Sequence, residues 1–265
     1  MLQLVRQSSL GGLFYLLGER PLSISLPNIA KLNFGSLTLL RPYSTFSHPN
    51  SLAGYLLIVY IILNLISKSK LLKLFISAII VLSFSKAAII ALVFIEIFQL
   101  NALQSLLVSA LISFTPFTKT IVSLPGWLLP SFSSRYYLLL PTLKIVINRW
   151  LTGTGLRQFV PKLGEILPHN QISFFTLQPV HNTFLLMLAE IGILGIILII
   201  KVLYDIFVPL FKSKETRGYA KKILGVVLIT SSLDHYWWTL PQNQLIIILA
   251  LALLSNMTNK SKLSN

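Results

Sequence analysis

Apolar residues run through this chain in blocks, and seven blocks are long enough to be read as membrane helices: residues 52–66, 71–84, 87–98, 103–114, 182–204, 223–233 and 244–254. A bilayer core takes about 20 mostly apolar residues in a helix, somewhat fewer where flanking side chains snorkel. Residues 182–204 make a full-length span unaided. The others are shorter, and 71–98 reads either as one kinked helix or as a tight pair. The pattern predicts an all-α, multi-pass transmembrane protein of about seven spans. Four regions follow: an outer segment over 1–51, a first helix group over 52–114, a long loop with short helices over 115–181, and C-terminal transmembrane helices over 182–265.

Basic residues orient the helices, because Lys and Arg beside short loops are retained on the cytoplasmic side. Three clusters qualify: Lys68, Lys70 and Lys73; Lys212, Lys214, Arg217, Lys221 and Lys222; and Lys260 with Lys262. Placing all three inside puts 1–51, 115–181 and the turn 234–243 together on the outer face. The 115–181 segment carries Lys119, Arg135, Lys144, Arg149, Arg157 and Lys162 against Glu165 alone, a net of +5. Long loops escape the orientation rule, and a basic surface there suits either a phosphate-bearing ligand or lipid headgroups.

Composition agrees with the membrane class. The 265 residues are 54 % hydrophobic and 11 % charged, with a mean hydropathy of +0.78, outside the range of soluble domains. Lys and Arg number 22 against 7 acids, a formal charge of +15 that has to concentrate in loops and at helix ends. The absence of Cys excludes disulfide scaffolds, thiolate zinc sites, iron–sulfur clusters and cysteine nucleophiles. Arg6, Gln7 and the Gly11-Gly12 pair interrupt the first 20 residues, which therefore do not read as a signal peptide, so targeting rests with the spans.

Four polar elements stand out on the expected outer face. Arg41-Pro-Tyr-Ser-Thr-Phe-Ser-His48-Pro-Asn50 precedes the first span, and its prolines forbid a regular helix, so it reads as an extended turn delivering Asn50 or Ser51 as an N-cap. Capping accounts for Asn50 but not for Arg41 and His48. Thr152-Gly153-Thr154-Gly155-Leu156-Arg157 lacks the preceding strand and following spacing of a nucleotide fold. With Arg135 and Arg149 upstream it reads either as a plain turn or as permissive backbone bringing N–H groups and guanidinium forks to a phosphate. His181-Asn182-Thr183 opens the longest span, and Glu190 lies nine residues deeper, about 13 Å along a helix, where an unpaired carboxylate costs about 3 kcal/mol. Glu190 calls for a partner or a wet cavity, or it clamps helices that approach at Gly192 and Gly195. Asp234-His235-Tyr236-Trp237-Trp238 reads as a further wall of the outer site, or as an interfacial aromatic belt. Glu96, beside Gln99 and Asn101, reads as an interfacial carboxylate.

Taken together these residues resemble the O-antigen ligase and polymerase superfamily of bacterial inner-membrane glycosyltransferases. His-Asn-x-x-Leu-x-x-x-x-Glu-x-Gly-x-x-Gly, from His181 to Gly195, looks like the signature of that family. Arg135 upstream of Gly153-x-Gly155, and Phe46-x-His-Pro-Asn-x-Leu-Ala53 opening a helix, extend the match. Ser85-Lys86 stands where family members often have Ser-Arg, keeping the charge but not a bidentate guanidinium contact. The resemblance covers nearly all of the chain and corresponds to the C-terminal part of the family, whose members usually have more spans. Residues 1–17 are accordingly expected to be the end of an upstream helix, in a chain that is either truncated or completed by another.

The resemblance implies transfer of a glycan from a polyprenyl-diphosphate carrier, such as undecaprenyl diphosphate, to an acceptor hydroxyl on the outer face of the cytoplasmic membrane. It implies no cofactor, no metal and no nucleic-acid partner; the partners are the lipid-linked donor, a saccharide, lipid or protein acceptor, and membrane lipids. Arg135 and Arg157, with Arg149 and Lys86, would hold the diphosphate, and His181 would take the acceptor proton, as an imidazole titrating near neutral pH can. Asn182 would orient the imidazole or a sugar hydroxyl, and Glu190 would support the base. Arg41, His48, Asn50, Gly153, Gly155, Asp234 and His235 complete the expected binding surface. Ligase, repeat-unit polymerase and protein O-glycosyltransferase remain alternatives, as does a transporter of a lipid-linked or anionic substrate using Glu96 and Glu190. A metal-dependent hydrolase is a further class, since His48, His169, His181, Asp234 and His235 share the outer side, although their spacings match no local zinc motif.

Overall fold

The computed structural model describes residues 1–27, 29–34, 36–67, 69–98, 104–105, 107–110, 129–173 and 176–263. It is mostly helical, 67 % helix, with one small hairpin among the described residues. Two compact units divide the chain: residues 1–100 with 240–253, and residues 101–239 with 254–265. This grouping takes the start of the last helix out of the C-terminal region drawn from the sequence.

In the first unit residues 1–17 hold two short helices, α1 (Leu2–Arg6) and α2 (Leu13–Leu16), and an antiparallel pair follows, β1 (Lys31–Phe34) and β2 (Leu37–Leu40). Polar side chains tie these pieces together. The Glu19 carboxylate accepts the backbone N–H groups of Leu10 and Gly11 at 2.8–3.0 Å and the amide of Gln3. The Gln3 carbonyl in turn accepts the N–H groups of Tyr43 and Ser44 at 2.8 Å. Burial alone would raise the Glu19 carboxyl, but the Leu10 N–H, the Gln3 amide, the Gly11 N–H and the Arg6 charge outweigh it and hold the group below the ordinary carboxylate range. Leu22, Leu40 and Tyr43 form a small core beneath this arrangement. Three apolar helices follow: α3 (Pro49–Ile66), α4 (Lys70–Leu82) and α5 (Lys86–Val93), the last continuing into a π-helical turn, Phe94–Phe98.

The second unit contains α6 (Leu129–Asn148), α7 (Phe159–Ile166), α8 (Thr183–Lys212), α9 (Arg217–Ser231) and α10 (Tyr236–Thr239). The last helix, α11, runs over Pro241–Leu263. Instead of a long loop with only short helices, residues 115–181 hold α6, a helix of 20 residues. Leu138 and Ile145 of α6 pack with Phe159 and Leu163 of α7 and with Leu186 and Ala189 of α8, and this shared core fixes the start of α8.

Among the described residues two helices, α3 and α8, are long and apolar enough to cross a membrane. The expected count of seven is not reproduced among the described residues. The blocks at 71–84 and 87–98 become helices of 13 and 8 residues, and half of 103–114 lies outside the described set. Helix α8 carries exposed Ile197, Leu198, Ile200, Val202 and Tyr204, an apolar surface that lipid would cover.

Candidate functional site

A break in α8 builds the site. At Gly192 (φ 62°, ψ −172°) the backbone leaves the helical conformation, which separates the Ile193 and Leu194 N–H groups from the carbonyls of Ala189 and Glu190 four residues back. Residues 150–155 supply substitutes for all four groups. Thr154 and Gly155 donate their N–H groups to Ala189 and Glu190 at 2.9 and 2.8 Å, and Ile193 and Leu194 donate to the carbonyls of Trp150 and Leu151 at 2.9 and 3.1 Å. Only glycines permit so close an approach: a Cβ on Gly153 would lie 2.3 Å from the Glu190 carbonyl, and one on Gly192 would lie 2.4 Å from that of Leu151. The Gly-x-Gly is therefore a backbone splice into a broken helix, not a phosphate cradle. Its N–H groups are taken, that of Gly153 by the carbonyl of Arg149 at 2.7 Å.

The break leaves 183–191 as a short helix and 193–212 as 20 residues, about 30 Å long, the thickness of a bilayer core. Glu190 thus precedes the membrane-length segment. Its carboxylate accepts the indole N–H of Trp238 at 2.7 Å, and this partner, rather than a support for the His181 imidazole, is what the structure gives it. Trp237 likewise donates inward, to the Thr230 hydroxyl at 2.7 Å. Both indole N–H groups are thus engaged within the fold.

Asn182 and Thr183 fix the mouth of α8. The Asn182 side-chain oxygen caps the helix by accepting the Leu185 N–H at 3.0 Å, while its amide donates to the Ser232 carbonyl at 3.3 Å. Thr183 donates its hydroxyl to the Asp234 carbonyl at 2.7 Å. Asn182 is thus a stitch, and orienting a sugar is not its observed work. The two ties bring His181 against the 234–235 turn. Nδ1 of His181 lies 3.7 Å from the Asp234 carboxylate and has no hydrogen-bond partner, although it is buried. Nε2 of His235 lies 3.9 Å from the same carboxylate oxygen, and the two imidazole rings are 5.4 Å apart. His235 donates its backbone N–H to Asp234 at 2.8 Å. Burial pushes the His235 imidazole down to about 4, the Asp234 charge opposing the fall and His181 adding to it. Asp234 is buried, whereas the His181 side chain keeps 25 % of its surface exposed and stays reachable.

The residues expected from the first unit make contacts of their own within it. Arg41 donates to the Ser83 carbonyl at 2.9 Å and to the Asn50 side-chain oxygen at 2.6 Å. His48, not Asn50 or Ser51, is the N-cap of α3: its Nδ1 accepts the Asn50 N–H at 3.1 Å. Lys86 is the first residue of α5 and is exposed. In the second unit Arg149 and Arg157 are exposed, and Arg157 holds a left-handed backbone at φ 61°. Arg135 falls within α6, but its side chain lies outside the described residues.

Sequence reasoning missed Thr183, Ser232 and Thr239. Thr239 accepts from or donates to Nδ1 of His235 at 2.9 Å, and the spacing of four residues between them was the available signal. Compared with known proteins, the chain matches no family model, no curated protein and no solved structure.

Proposed function

We propose that the protein is a membrane glycosyltransferase that moves a glycan from a polyprenyl-diphosphate carrier to an acceptor hydroxyl, on the outer face of the bacterial cytoplasmic membrane. The observation that carries this reading is the partly exposed His181 imidazole at the mouth of α8, with Nδ1 facing the buried Asp234 carboxylate at 3.7 Å. An imidazole held this way abstracts a proton through its other nitrogen while the carboxylate stabilises the imidazolium. The distance is longer than a hydrogen bond, as catalytic contacts often are before substrate binds.

The acceptor oxygen attacks the anomeric carbon, the bond from that carbon to the diphosphate oxygen breaks, and the acceptor proton passes to Nε2 of His181. The leaving diphosphate carries its own activation, so the protein has only to neutralise charge and orient the acceptor. Exposed Arg149 and Arg157 are the second unit's candidates for that neutralisation, together with Arg135. A lipid-linked acceptor would make the enzyme a polymerase, a lipid core a ligase, and a polypeptide a protein glycosyltransferase.

The test is transfer in membranes loaded with a defined polyprenyl-diphosphate glycan and candidate acceptors. Wild type, His181→Ala and Arg135→Ala are compared at matched expression. Transfer by wild type that both substitutions abolish supports the reading. Transfer by His181→Ala at the wild-type rate removes its base.

A further inference from the structure

We propose that His181, Asp234 and His235 bind a zinc ion, and that the ion switches the site off. The binding stands on geometry alone, whereas the switching rests on the transferase reading.

One ligand atom from each of the three residues lies within 4.8 Å of the other two. The carboxylate oxygen is 3.7 Å from Nδ1 of His181 and 3.9 Å from Nε2 of His235. Zinc holds imidazole nitrogen and carboxylate oxygen at 2.0–2.2 Å, so neighbouring ligands of a tetrahedral ion sit about 3.4 Å apart. Two edges of the triangle need to close by only a few tenths of an ångström, and the third, between the two imidazole nitrogens and within 4.8 Å, closes by up to about 1.4 Å through rotation of the His181 ring. Two imidazoles, one carboxylate and an open fourth position suit zinc.

The protonation pattern favours a cation here. The Thr239 hydroxyl donates to the His235 carbonyl at 3.1 Å, so its oxygen is left to accept the Nδ1–H of His235 at 2.9 Å. That tautomer turns the Nε2 lone pair toward Asp234. The buried Nδ1 of His181, without a hydrogen-bond partner, converges on the same carboxylate. The Asp234 oxygen and Nε2 of His235 therefore present lone pairs to one point, and Nδ1 of His181 joins them when its proton moves to Nε2. Thr239 supplies the outer contact that metal-bound imidazoles use to fix their orientation. His181 is the most exposed of the three side chains, at 25 %. None of the three residues is near another in a zinc-like sequence spacing; the stitches from Asn182 and Thr183 assemble them.

The consequence for transfer follows from the ring. With zinc on Nδ1 of His181, the remaining proton of a neutral imidazole sits on Nε2, and that nitrogen can no longer accept one from a hydroxyl. Zinc and base catalysis exclude each other at one side chain.

The test uses untagged, full-length protein purified in detergent and stripped with chelator. Titration with Zn²⁺ by calorimetry, and with Co²⁺ by the visible absorption of a tetrahedral site, is expected to saturate at one ion per chain. Asp234→Asn and His235→Gln should each weaken binding roughly tenfold or more, and Thr239→Val, which keeps every ligand, should also weaken it by roughly 10-fold. Thermal unfolding confirms that each variant is folded, and Thr239→Val decides the matter if a ligand variant is not. Absence of saturable uptake by wild type, or equal uptake by folded variants, overturns the site. In the transfer assay, zinc should suppress wild-type turnover and chelator should restore it. Stoichiometric binding with unchanged turnover overturns the switch alone, and binding without transfer in either state overturns the transferase reading while leaving the site intact.

Discussion

Helices α3 and α8 each open on a histidine followed closely by asparagine, and the two histidines end up doing different things. At the start of α3, His48 occupies the cap position itself and spends Nδ1 on the Asn50 N–H. At the start of α8 the cap is Asn182, one residue later in the pattern, and His181 is left outside the helix with Nδ1 turned to Asp234. Proline explains the shift. Pro49 lacks an N–H and sits well at the first helical position, which makes His48 the residue before the helix. No proline follows His181, so the better capping residue, Asn182, takes the role. A one-residue change of cap separates a structural histidine from a chemically available one.

The comparison can be broken most severely through the backbone beneath His181. Gly192→Ala or Gly153→Ala would drive a methyl group into a carbonyl, and the loss is expected to exceed about 4 kcal/mol, removing the folded second unit. Limited proteolysis and thermal unfolding in detergent would register it. The next effect is on rate. His181→Ala should lower transfer by about 10²- to 10⁴-fold with little change in melting, the usual weight of a general base. His48→Ala should do the reverse, retaining transfer and costing about 1 kcal/mol of stability through the lost cap.

Asn182→Ala sharpens the contrast, because it removes a cap and a tie to Ser232 together; about 1–2 kcal/mol of stability should go, with transfer reduced as His181 loses its place. The smallest effect belongs to the segment before α3. Glu19, held below the ordinary carboxylate range, contributes stability that is complete above its unfolded value of about 4.3 and is lost as pH falls through the folded value. Acid unfolding of the first unit should therefore weaken in Glu19→Gln, as followed by melting temperature against pH.

Much of this was legible in the residues, and what was missed has identifiable causes. Helical class and the membrane-length helix after His181 follow from apolar blocks, because a run of Leu and Ile needs no tertiary information to declare itself. Asp234 and His235 were expected as a further wall of the His181 site, but their separation of about fifty residues hides the particular contact that Thr183 and Asn182 create. The glycines were visible, but their purpose was not. Nothing in Gly153-x-Gly155 says that its N–H groups will repair a helix broken at Gly192, since that pairing is a backbone event without a side-chain signature. Helix α6 was concealed by Pro130, Pro141 and three serines, which read as loop until packing on α7 and α8 overrides local preference. The short helices and hairpin before α3 escaped for a similar reason: Gln3 and Glu19 hold them through long-range polar contacts.

The most direct test of the central claim is a parallel transfer assay of His181→Ala and His48→Ala in membranes supplied with a polyprenyl-diphosphate glycan and acceptor, with folding of each variant verified by thermal unfolding. The account predicts that His181→Ala, although folded, loses transfer while His48→Ala keeps it. Equal transfer by folded His181→Ala and wild type would contradict it.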